Sequence, residues 1–398
     1  MKFFRRKLKN GMTVLMEKRE VPVVAFSITN RFGGAYEDSN IKGIAHFIEH
    51  LLFTGTKTRS HEDISREIEK RGGELNAFTS HEMTSFHFKI PSIHFISGLN
   101  ILTDMLNNPA FDQEKFEKEK KIILEEIKMY HDTPQRHVLE MLEENLYERP
   151  FGEKVIGSEK TVNSLKRDFV ADFFSKNYDP SNYIVSVVGN ADFEQICEYL
   201  ENNFKKKKLK MKSKEIKFKN KESIEERADI DQAHFVIGMH APLRNTKEFD
   251  VLTVLDAYLA DGMSSRLFLE IREKRGLAYT VRSMLNSEKS YSYYSIYAGT
   301  KKDKIGEVKE LIFAEFENIK NMSEKDLKEA KERVIGLKAI NSEESVNIMN
   351  ELMFYELVGN AEDYYKLEEK INKVTLKEVK ELAKRLVKKY SSAAVVPR

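Results

Sequence analysis

Gly43-Ile44-Ala45-His46-Phe47-Ile48-Glu49-His50-Leu51-Leu52-Phe53-Thr54-Gly55-Thr56 decides how this chain is read. Its apolar spacing and closing Thr-Gly predict a short buried helix that ends in a turn. Helix positions i and i+4 share a face, so His46 and His50 reach one point, and Glu49 lies beside it. This is an H-x-x-E-H order, the inverse of the commoner H-E-x-x-H zinc motif. Histidines on an apolar helix need partners, and one metal ion satisfies both. Five residues match by chance often enough that a third donor has to decide the matter. Catalytic zinc takes three protein ligands and keeps one position open.

Glu126 is the candidate third ligand. Ile122, Ile123 and Ile127 mark the buried stripe of a long helix over 114–131. Glu126 is expected to point inward with them, where a carboxylate needs a positive partner. Glu119, two turns earlier on the same face, is placed to hold a ligand histidine from behind.

With these residues in hand, the sequence resembles the pitrilysin/insulinase family of zinc peptidases, the inverzincins. It resembles in particular the two-domain type that includes mitochondrial processing peptidase. Two further stretches carry the resemblance: Gly72-Gly73-Glu74-Leu75-Asn76-Ala77-Phe78-Thr79-Ser80 and Arg272-Glu273-Lys274-Arg275-Gly276-Leu277-Ala278-Tyr279. The pieces fall in the family's order over nearly the whole chain. The resemblance implies one Zn²⁺ per chain, held by His46, His50 and Glu126. Glu49 is then the expected general base, taking a proton from water and returning it to the leaving amine. Asn76, Ala77, Phe78 and Thr79 look like the family's edge strand, which accepts an extended peptide by β-augmentation. Arg272 and Tyr279 match the family's pair that binds a substrate carbonyl and stabilises the oxyanion. Glu82 stands where the family has a glutamate, with no role assigned. In the family that pair faces the zinc domain across a closed chamber. A two-domain chain therefore implies a homodimer whose sites are completed in trans. A non-catalytic scaffold or assembly subunit is the alternative, and the complete ligand set with Glu49 weighs against it. A processing peptidase that cuts one precursor site stays open.

The rest of the chain bounds this reading. A length of 398 residues suits two or three domains. A net charge of +2 favours neither nucleic acid nor an anionic membrane as partner. No apolar run approaches the ~18–20 residues of a membrane span or the length of a signal peptide. Cys197 stands alone, which excludes an internal disulfide and fits a reducing, cytoplasmic setting. The basic run at 205–214 has no aromatic interleaving and is followed by Glu222, Glu225 and Glu226. A solvated linker suits it better than phosphate binding.

Helix-then-glycine signals recur at Glu67-Ile68-Glu69-Lys70-Arg71-Gly72 and Glu270-Ile271-Arg272-Glu273-Lys274-Arg275-Gly276, each followed by two strand-like runs. The expected fold is α+β, with two duplicated domains, each a mainly antiparallel sheet with helices on one side. The expected division is a zinc-binding domain at 1–208, a linker at 209–228 and a second domain at 229–398. Single helices are expected over 162–174 and 264–274.

Overall fold

The structure, a computed structural model, describes residues 2–205 and 215–398; the basic run at 206–214 lies outside them. Packing divides the chain into two units. The first comprises Met1–Lys128, Glu153–Glu215 and Asn341–Ala361; the second comprises Met129–Gly152, Ile216–Ile340 and Glu362–Arg398.

The first unit is built on six strands: β1 (Lys2–Lys7), β2 (Thr13–Lys18), β3 (Val23–Asn30), β4 (Glu74–Thr79), β5 (Thr84–Pro91) and β6 (Tyr183–Gly189). Their order is β1-β2-β6-β3-β5-β4. Only β2 and β6 run parallel; the other neighbours are antiparallel. β6 is an unbroken buried run, and β3 is nearly so, as expected for central strands covered on both faces. Phe26 on β3 stacks on Phe88 of β5 and meets Phe95, which opens the helix Phe95–Asn107.

The second unit has five strands: β7 (Glu222–Arg227), β8 (Ala233–His240), β9 (Ala278–Ser287), β10 (Ser292–Thr300) and β11 (Ser391–Pro397). Their order is β7-β11-β8-β10-β9, with β7–β11 the parallel pair. Matched to β2-β6-β3-β5-β4, this is the same wiring strand for strand, including the position of the parallel pair. The duplication read from two short helix-glycine signals is thus a duplication of topology.

Each sheet is covered in part by a helix from the other half of the sequence. Pro134–Leu146 packs on β8 and β11 of the second unit, and Ser345–Val358 packs on β3 and β6 of the first. Equivalent bonds fasten the two. Ser186 on β6 donates to the Met349 carbonyl at 2.8 Å. Ser391 on β11 donates to the Asn145 carbonyl at 2.8 Å.

Three local features differ from the sequence reading. β7 is a strand where none was expected, and it occupies residues placed in the linker. It is a sheet edge rich in charge, and an edge strand needs no apolar alternation. The helix expected over 162–174 is two helices, Glu159–Ser164 and Arg167–Asn177, the second starting after extended Lys166. Phe268–Glu273 is wound as a π-helix, with Lys274 N–H donating to the Leu269 carbonyl five residues back. Such turns gather at functional positions.

Candidate metal centre

The helix that carries the motif is Ile44–Phe53. It starts at Gly43, whose φ of +98° favours glycine. A Cβ at Gly43 would also stand 2.5 Å from the Ile156 carbonyl oxygen. The carboxylate of Glu37 clamps this N-terminus. It accepts from Gly43 N–H at 2.9 Å and from Ala45 N–H at 2.7 Å, meeting two of the donors a helix start leaves unpaired. Lys42 Nζ lies 3.9 Å away. Complete burial lifts the Glu37 pKa to about 7, with the Lys42 charge opposing the rise. Phe47 on the inner face stacks on Phe116 with ring centroids 4.7 Å apart. Such a pair contributes about 0.5–1.5 kcal/mol beyond area burial. It fixes the motif helix against the long helix Gln113–Asp132.

That contact brings the donors together. His46 Nε2 is 3.8 Å and His50 Nε2 3.5 Å from Glu126 Oε2. One ligand atom from each of the three lies within 4.8 Å of the others. His50 Nδ1 is 3.3 Å from Glu119 Oε2, so a carboxylate orients this ring from behind and leaves Nε2 toward Glu126. The stripe that turns Glu126 inward differs from the one read in the sequence. Phe116 and Ile123 are the buried residues of this helix, while Ile122 is 42% exposed. Glu119 and Glu126 keep their face because each lies three residues beyond one of these buried anchors.

The electrostatics of the group suit a cation. Burial, aided by His50, holds His46 neutral, with its pKa near 4. Burial also opposes a charge on His50, yet the carboxylates of Glu119 and Glu126 raise its pKa to about 9. A neutral imidazole, a second imidazole and a carboxylate make an N/N/O donor set that suits zinc. Glu49 lies on the same helix; burial raises its pKa, and the Thr79 hydroxyl, which donates to its Oε2, opposes the rise.

Thr79 ends β4, the edge strand of its sheet. Asn76 is exposed, and its Oδ1 accepts from Ala77 N–H at 2.8 Å, while Phe78 is partly buried. Glu82 is buried in the turn after β4. Arg272 and Tyr279 belong to the second unit. The guanidinium of Arg272, on the π-helical segment, lies 4.9 Å from the Phe268 ring centroid and 5.8 Å from that of Tyr279. Tyr279, on edge strand β9, is 78% exposed. The Glu37 clamp and the Thr79–Glu49 bond have no signature in the sequence, since both join residues from separate segments. No helix among the described residues is long and apolar enough to cross a membrane.

Residues 13–159 match the family described as insulinase (peptidase family M16), and residues 164–334 the one described as peptidase M16 inactive domain. An uncharacterized zinc protease of Rickettsia felis is 33% identical over 369 residues, spanning 91% of this chain and 85% of its own. The chain belongs to peptidase family M16. An uncharacterized zinc protease of Bacillus subtilis is 31% identical to this M16 chain over 401 residues, covering 98% and 97% of the two. The crystal structure of a Helicobacter pylori protease shares the M16 fold seen here, with a TM-score of 0.93 at 20% identity, covering 100% of this chain and 99% of that one.

Proposed function

We propose that this M16 chain is a zinc-dependent endopeptidase acting on peptides in extended conformation. The observation that carries the reading is the join between the donor group and the edge strand. His46, His50 and Glu126 converge, and Glu49 beside them is held by the last residue of β4. Relatives named zinc proteases support it.

When bound by His46, His50 and Glu126, zinc supplies Lewis acidity, which acidifies water and polarises a peptide carbonyl. The protein's own groups do the rest. Glu119 fixes the orientation of the His50 ring. Thr79 holds one oxygen of Glu49, which leaves the other to take a proton from water and pass it to the leaving amine. A raised pKa suits a group that must both accept and release that proton. A peptide added to β4 as a further strand takes its register from backbone bonds, so shape governs selection more than side-chain identity. Asn76, now bonded to its own neighbour's N–H, is the side chain to exchange that bond for substrate backbone.

Arg272 and Tyr279 complete the reaction centre from a second copy of the chain, Tyr279 donating to the oxyanion and Arg272 binding a carbonyl. Their exposed position on the second unit supports this. Cleavage of an unstructured peptide mixture, lost with a zinc chelator and lost in Glu49→Gln, is the expected result. Activity that survives Glu49→Gln overturns the mechanism. The trans arrangement has its own test. Glu49→Gln and Tyr279→Phe chains, each inactive alone, are unfolded together, refolded and assayed. Heterodimers with one intact site should restore about a quarter of wild-type activity, and none returns if each site is complete within one chain.

A further inference from the structure

The described residues contain a second His/His/carboxylate group, wholly within the second unit: His131, His137 and Glu225, again with one ligand atom each within 4.8 Å of the others. His131 lies on the last turn of Gln113–Asp132, His137 on the first turn of Pro134–Leu146, and Glu225 on edge strand β7. The imidazoles lie close, with ring centroids 4.8 Å apart. His137 is buried and its Nε2 lies 2.8 Å from Glu225 Oε2, while its Nδ1 faces Glu140 Oε2 at 3.8 Å. His131 Nδ1 lies 3.3 Å from Asp132 Oδ1. His131 thus has a carboxylate at Nδ1, which favours the tautomer with a lone pair on Nε2, whereas His137 shares its Nε2 proton with Glu225.

Arg227 fixes the remaining directions. Its Nε donates to Glu225 Oε1 at 2.6 Å and its Nη1 to the His131 carbonyl at 2.6 Å. Its Nη2 is 3.2 Å from His131 Nε2. A guanidinium has no acceptor, so a bond there requires the His131 Nε2 lone pair to face the cluster. Holding Glu225 by Oε1 leaves Oε2 turned to His137. His131, with its side chain 53% exposed, gives a route in from solvent.

We propose that His131, His137 and Glu225 form a second, structural site for a divalent cation of the zinc type, distinct from the His46/His50/Glu126 group. Two imidazole nitrogens and one carboxylate oxygen select zinc, cobalt or nickel over magnesium or calcium. The cation takes the place of the proton shared by His137 and Glu225 and of the Arg227 Nη2 contact. Arg227 keeps its bonds to Oε1 and the carbonyl. The site would tie the corner at Thr133-Pro134 to an edge strand that carries little apolar anchoring of its own.

The test uses the full chain with His46→Ala and His50→Ala, which silence the first group whatever its role. Co²⁺ titration followed by visible d–d absorption should show one bound equivalent, and zinc should raise the thermal midpoint. Adding His131→Ala, at a largely exposed position, should abolish both effects with the far-ultraviolet circular dichroism unchanged. Adding Asp132→Asn instead should weaken cobalt binding about 10–100-fold, as loss of a ring-orienting carboxylate does. In the otherwise wild-type chain, His131→Ala should lower bound zinc from two equivalents to one and leave peptide hydrolysis intact. A folded His46→Ala/His50→Ala chain that binds no cobalt overturns the proposal, as does an equivalent that persists after His131→Ala.

Discussion

The two units share an order of five strands and differ in the helix that lies between β3 and β4 in the first and between β8 and β9 in the second. Between β3 and β4 lies the helix Ile44–Phe53, with two histidines turned toward Glu126 and Glu49 held by Thr79. Between β8 and β9 lies Lys247–Leu259, which has no histidine; its polar groups on the sheet side include Asp256, which accepts from the Tyr294 hydroxyl at 2.7 Å. The first helix opens on a left-handed glycine clamped by a buried carboxylate. The second opens at Thr246, whose side chain makes no cap bond. A duplicated frame therefore offers the same place twice. Whether that place gathers a cation depends on a few side chains and on how firmly the helix start is held.

The comparison breaks most visibly if the units are cut apart by sequence. A chain of residues 1–208 lacks Ser345–Val358, whose Ile348, Met349, Leu352 and Met353 are all at most 1% exposed. Burying four such side chains contributes roughly 6–12 kcal/mol, comparable to the whole stability of a domain. This fragment should show no cooperative thermal transition. Residues 341–361 appended through a flexible linker should restore one.

Next in size is the clamp. Glu37→Ala removes two bonds to the motif helix and leaves Lys42 buried without its carboxylate, a loss of about 3–5 kcal/mol in urea melts. Zinc affinity should fall with it in a chelator competition. Thr246→Ala at the equivalent start should stay within about 0.5 kcal/mol.

Two tyrosines sharpen the contrast further. Tyr279→Phe should lower kcat about 10²–10³-fold without moving Tm, because the hydroxyl is exposed and its proposed task is in the transition state. Tyr294→Phe should do the reverse, costing about 1–2 kcal/mol of stability with kcat unchanged.

The last contrast concerns pH. Burial raises Asp256 to about 6, with Tyr294 among the groups opposing the rise. A folded pKa above the unfolded one means a contribution present below about pH 4 and lost as pH rises through 6. Asp256→Asn should therefore gain about 1–2 kcal/mol over wild type between pH 4 and 7 in paired urea melts, after allowance for partial solvation.

Much of the site was legible because one helix carries it. The i, i+4 spacing alone puts His46 and His50 on one face, and the seven residues between Glu119 and Glu126 do the same on the other helix. The anchor of that second helix was misread at Ile122, since three neighbouring isoleucines do not say which one faces in. β4 was legible through its flanking glycines, whereas β7 is a charged edge whose pairing lies in the backbone. Which sheet a helix covers is not written in its periodicity, so the exchange of Pro134–Leu146 and Ser345–Val358 had no signal. Nor had the convergence of His131 and His137, whose spacing is set by the turn at Thr133-Pro134.

That exchange has a consequence for how the protein is made. A ribosome that has released residue 215 has delivered every strand of the first sheet, but the helix that covers β3 and β6 is still some 150 residues from being translated. At about 5–20 residues per second, that open face waits roughly 7–30 s for its cover. During that interval nascent chains are exposed to chaperones and to one another, and the amino-terminal unit, though synthesised first, is completed only when the carboxy-terminal half is nearly finished.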